Sequence, residues 1–71
     1  MLTKETYRIN DKEVCFYFFI LINEQLIKND VTFSETDEYT KDNNGNYCRV
    51  RVLITEPENI AGICSIFNIP F

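Results

Sequence analysis

Nine consecutive apolar or aromatic residues, VCFYFFILI from Val14 to Ile22, restrict this chain more than any other feature. In a chain of 71 residues such a stretch must enter the core or cover it. It is too short to cross a bilayer, which takes about 20 residues of helix. It also reads poorly as a secretory leader. Lys4, Arg8 and Lys12 ahead of it are balanced by Glu5, Asp11 and Glu13, and NEQLIKND follows in place of a small-residue cleavage site. Two readings remain, a buried strand and a segment of helix, and a continuous run has no period to separate them. Its Phe, Tyr, Ile and Val content favours strand. The helical alternative extends through NEQLIKN and gathers Cys15, Phe18, Phe19, Ile22 and Leu26 on one face.

The flanking segments read more plainly. Tyr7 and Ile9 alternate with polar neighbours, and Asn10–Asp11–Lys12 is turn chemistry, so a first hairpin is expected there. From Gln25 to Thr40 the chain reads as extended, with Val31, Phe33 and Tyr39 on one parity and Thr32, Ser34, Thr36, Glu38 and Thr40 on the other. Asn44-Gly45 marks a second hairpin. After it, Cys48, Val50, Val52 and Ile54 alternate with Arg49 and Arg51, which suggests an apolar inner side and a charged outer side. A two-residue turn at Asn44-Gly45 sets Glu38 opposite Arg51, Thr40 opposite Arg49 and Tyr39 opposite Val50. That register leaves Glu35 and Asp37 pointing inward, a conflict that a bulge or an exposed strand end would relieve.

The last element reads as a helix. Thr55-x-x-Glu58 has the form of a capping box, and Pro57 suits the first turn. Ile60, Ile63, Cys64 and Phe67 then form one apolar stripe, and Asn68 and Pro70 end it. The expected architecture is a single α+β domain, residues 1–71. A small antiparallel sheet of four or five strands carries one C-terminal helix on one face. One helix covers one face only. A run apolar on both parities then needs a second cover, which makes Phe16, Tyr17, Phe18 and Phe19 candidates for a self-association or partner face.

Catalytic and ligand-binding chemistry finds little to use. No histidine is present, which removes Ser-His-Asp and Cys-His pairs and histidine-based zinc sites. The two glycines, Gly45 and Gly62, make no phosphate loop. Aligning Gly45 with the glycine of a calcium loop puts Thr40, Asp42 and Asn44 at ligand positions but Arg51 where a bidentate Glu is required. Cys15, Cys48 and Cys64 are odd in number and widely spaced, a poor disulfide frame that suits a reducing cytoplasm. No catalytic, metal or cofactor residue is therefore expected, and the chain reads as a non-enzyme.

Partners follow from charge. Seven basic and eleven acidic side chains give a net charge of −4. That balance argues against phosphate-backbone binding and against anionic membranes. Tyr47, Arg49 and Arg51 could stack and pair with nucleic acid, but they serve as well as partners for acidic neighbours. The segment SETDEYTKD carries Glu35, Asp37, Glu38 and Asp42 against one lysine, a candidate acidic hairpin for a basic protein surface. The same charges also serve to protect a sheet edge from aggregation.

Short, acidic, histidine-free and biased toward Asn, Ile, Phe and Tyr, the chain resembles the small inhibitors that phages and mobile elements encode, anti-CRISPR proteins among them. The resemblance is one of size, charge and composition. It implies a noncatalytic protein that binds and sterically blocks a larger host protein. The alternative expectation is a self-assembling accessory subunit, a homodimer through the apolar sheet face.

Overall fold

A computed structural model describes residues 2–71, with side chains from Lys4 onward. Strand β1 (Leu2–Ile9) turns at Asn10 into the short β2 (Lys12–Val14). Helix α1 (Phe16–Lys28) follows, then β3 (Ser34–Lys41), β4 (Tyr47–Ile54) and helix α2 (Pro57–Phe67). The strands lie in the order β2-β1-β4-β3. Both hairpins are antiparallel, and β1 joins β4 in parallel at the centre. The α+β class and the C-terminal helix agree with expectation, while the sheet is mixed and a second helix is present.

The second helix corrects the strand reading of the apolar run. Cys15 is extended at its start, and Phe19, Ile22 and Leu26 are its buried residues. These fall at i, i+3 and i+7, a helical stripe that outlasts the apolar run by four residues. A strand continuing that far would have carried Asn23 and Glu24 with it into the sheet. Local strand preference loses to this longer-range pattern. Only part of the expected face is deeply placed. Phe18 is half-buried and Cys15 is exposed. The helix ends where Val31 N–H donates to the Leu26 carbonyl (3.0 Å), with Asp30 left-handed at φ 55°.

The core lies on one side of the sheet. Ile9 and Leu53 supply its floor, and Phe19, Ile22, Leu26, Ile60, Ile63 and Cys64 form one cluster with them. Both helices therefore cover the face that bears Ile9 and Leu53. Tyr7, Val14, Val31, Phe33 and Ile69 close the rim of that cluster. Phe67, expected in the α2 stripe, stays 42% exposed.

Asn10 ties the β1–β2 turn to the end of β4 and the residue after it. With φ 53°, its N–H donates to the Leu53 carbonyl at 2.7 Å, and its Oδ1 accepts from Thr55 N–H at 3.1 Å. Thr55 does not form the expected capping box. Its hydroxyl donates to the Thr32 carbonyl (3.0 Å) and accepts from Asn59 Nδ2 (3.2 Å), and Glu56 is the residue at the helix start. Pro57 takes the first turn as expected, and left-handed Asn68 (φ 55°) closes the last.

Candidate functional site

The β3–β4 hairpin decides what the sheet displays. Asp42, not the Asn44-Gly45 pair, sets its register. The Asp42 carboxylate accepts from Asn44 N–H (2.9 Å) and Asn46 N–H (3.0 Å). Asp42 N–H donates to the Asn46 carbonyl, and Gly45 N–H to the Asp42 carbonyl. The connection is thus five residues, 42–46, and Lys41 pairs with Tyr47. Every pairing moves one position from the two-residue expectation. Asp37 now faces Arg51, Tyr39 faces Arg49, and Glu38 faces Val50. A one-residue change of register exchanges which side chains share a face.

That exchange removes the inward-acid conflict. Glu35, Asp37, Arg49 and Arg51 stand on the face that carries the helices. They form a continuous ionic row across three strands. Arg49 pairs with Glu5 of β1 and lies 3.9 Å from Asp37 of β3. Arg51 lies 3.7 Å from Asp37 and 2.9 Å from Glu35. The Arg51 guanidinium also sits 5.5 Å from the centre of the Phe19 ring, which joins the row to the core. The pKa of Arg49 is raised, first by its hydrogen bond to Glu5 and then by that to Tyr39.

The four candidate acidic residues therefore divide. Glu35 and Asp37 spend their charge on arginines of the same sheet. Asp42 shapes the hairpin tip. Glu38 alone of the four stands on the opposite face. The aromatic candidates divide as well, because they lie on a helix. Phe16 (54% exposed) and Tyr17 (67% exposed) face outward, Phe18 is half-buried, and Phe19 is fully enclosed. Phe16 and Phe19 both pack on Tyr7, with ring centres 5.1 and 5.2 Å away.

The opposite face of the sheet is uncovered. Cys48, Val50, Val52 and Ile54 run down its centre on β4, the stripe that alternation alone placed on the inner side. Thr6 and Glu38 flank Val50, Arg8 and Thr36 flank Val52, and Lys4 and Thr40 flank Cys48. Val52, between Arg8 and Thr36 in the register, is only 7% exposed, whereas Ile54 is 51% exposed. Among the described residues, no ion pair engages Lys4, Arg8 or Glu38. Sequence reading missed Lys4 and Arg8. The signal for them was Leu53, whose parity with Arg49 and Arg51 marks that side of β4 as the helix side.

The molecule is long for its size. Its extents are 41 × 22 × 17 Å and its radius of gyration is 13.4 Å, against about 11 Å for a compact chain of this length. Strand β3 is exposed along its whole length. Among the described residues no group of His, Cys, Asp and Glu is arranged to hold a metal ion. No described helix is long and apolar enough to cross a membrane. In comparisons with known proteins, the chain matches no family model, no curated protein and no solved structure.

Proposed function

We propose that this chain is a noncatalytic interaction protein whose uncovered sheet face is closed by another protein surface. It acts by occupying that surface rather than by transforming a bound molecule. One observation carries the reading. Two helices cover one face of a four-stranded sheet, and the core cluster leaves out the β4 side chains of the other face, where Val52 is buried, Cys48 and Val50 are half-buried and Ile54 is 51% exposed. Burying such a stripe releases roughly 25 cal/mol per Å² of apolar area, and charged neighbours at its margin steer the encounter.

Steric blocking of a larger host protein, the mode of the small inhibitors that the chain resembles, is one form of this function. Its contact surface would be Val50 and Ile54 with Glu38 at the margin. Glu35 and Asp37 contribute less, because arginines already neutralise them. Paired baits test the reading. Wild type and Val50→Asp are presented to lysate of the native host, and retained proteins are identified by mass spectrometry. A protein held by wild type and released by the variant is expected. Equal retention by both would reject the open face as the working surface.

A further inference from the structure

We propose that the surface closing the open face is that of a second copy of this chain, related by a two-fold axis running along β4. The inference rests on the reading of that face as an interaction surface and adds its occupant. Charge placement selects the axis. On the open face the cations Lys4 and Arg8 lie on β1, to one side of the apolar stripe, and the anion Glu38 lies on β3, to the other. A two-fold axis along β4 lays β1 of one copy over β3 of the other. Glu38 of the second copy then faces Thr6, with Lys4 and Arg8 one row to either side, about 7 Å along the strand. Both basic side chains are long enough to reach it, and the same contacts repeat across the axis.

The competing arrangements fit this face less well. A two-fold axis across the strands sets Arg8 against Lys4 and Glu38 against Glu38. Antiparallel edge pairing through β3 sets at most one acidic residue against its own copy and leaves the apolar side chains of β4 unburied, so it makes no use of the open face. The area fits a modest dimer. Three strands of eight residues present a footprint of roughly 14 by 26 Å. With side-chain relief, two copies bury on the order of 1,000 Å², near the lower limit for a specific interface. Sheets stacked this way align within about 30°. A dissociation constant in the micromolar range is expected.

Sedimentation equilibrium from about 1 to 300 μM tests this, with circular dichroism confirming that each variant folds. Wild type should dimerise. Val50→Asp should weaken dimerisation at least about tenfold. Arg8→Glu and Glu38→Arg should each weaken it, and the double exchange should restore it. A wild-type monomer throughout the range overturns the proposal, as does a dimer indifferent to Val50→Asp or an exchange that restores nothing. If the monomer still captures a foreign protein that Val50→Asp releases, the interaction reading survives and only this occupant is rejected. If neither self-association nor capture depends on Val50, both fall.

Discussion

Replacing the aromatic residues of α1 one at a time gives a direct test of how the apolar run is built. Phe19 is fully enclosed, and its ring meets Tyr7 at 5.2 Å and the Arg51 guanidinium at 5.5 Å. Truncating a buried Phe to Ala costs about 3–5 kcal/mol. A domain of this length has roughly 4–11 kcal/mol of total stability at ordinary per-residue values, and small cores sit at the low end. Phe19→Ala should therefore be largely unfolded, and Phe19→Leu, at about 1–1.5 kcal/mol, supplies a measurable step. Phe16→Ala loses mainly its ring contact with Tyr7, about 0.5–1.5 kcal/mol. Tyr17→Ala, at an outward position, loses only its looser ring contact with Phe18 at 6.0 Å and should cost no more than about 0.5–1.5 kcal/mol. Urea unfolding followed by circular dichroism reads these values. A slope near 1 kcal/mol per molar makes each kcal/mol a midpoint shift of about 1 M. Severe costs at all four of residues 16–19 would refute the helix and restore a strand buried on two faces.

The two glycines should respond with opposite signs, measured by the same unfolding assay. Gly45 sits at φ 80° with open space around it, so Gly45→Ala should cost about 1–2 kcal/mol through backbone strain alone. Gly62 lies inside α2 with no atom near an added Cβ, so Gly62→Ala should stabilise by about 0.5–1 kcal/mol. Thiol labelling followed by mass spectrometry should rank Cys15 first, Cys48 second and Cys64 last, from exposed to buried. Burial raises the Cys64 pKa above its ordinary value near 9.0. A thiol raised on folding favours the protonated form, so its contribution is complete below pH 9 and is lost as pH rises through the folded value. Stability should decline above that pH, and less so in Cys64→Ala.

Elements with a local signature were legible in the sequence. The Asn10 turn, Pro57 at the start of α2 and the Ile60–Cys64 stripe all carry their own chemistry within a few residues. The register of β3 against β4 was not legible. It depends on Asp42 satisfying two backbone N–H groups in competition with a common Asn-Gly turn, and on five charges from three strands agreeing afterwards. The open face was hidden for the same reason. Alternation along β4 shows that Val50 and Val52 share a side. It does not show that the helices choose the side of Leu53. The α1 assignment failed because strand propensity over nine residues was set above the helical face that runs on to Leu26.

The parallel contact between β1 and β4 also governs the order in which the molecule can assemble. Thr6 meets Val50, 44 positions later. Each hairpin closes locally, on the microsecond scale, and α1 can form as fast. Neither hairpin has a floor for its core until the two halves join, because Ile9 belongs to one half and Leu53 to the other. The central seam is therefore the slow step, and its search cost is the closure of one long loop. During that interval the exposed Phe16 and Tyr17, the unburied Phe19 and the open edges of both hairpins are available to other chains. A protein built this way should fold in good yield when dilute and lose yield as its concentration during refolding rises, even if its finished state is fully soluble.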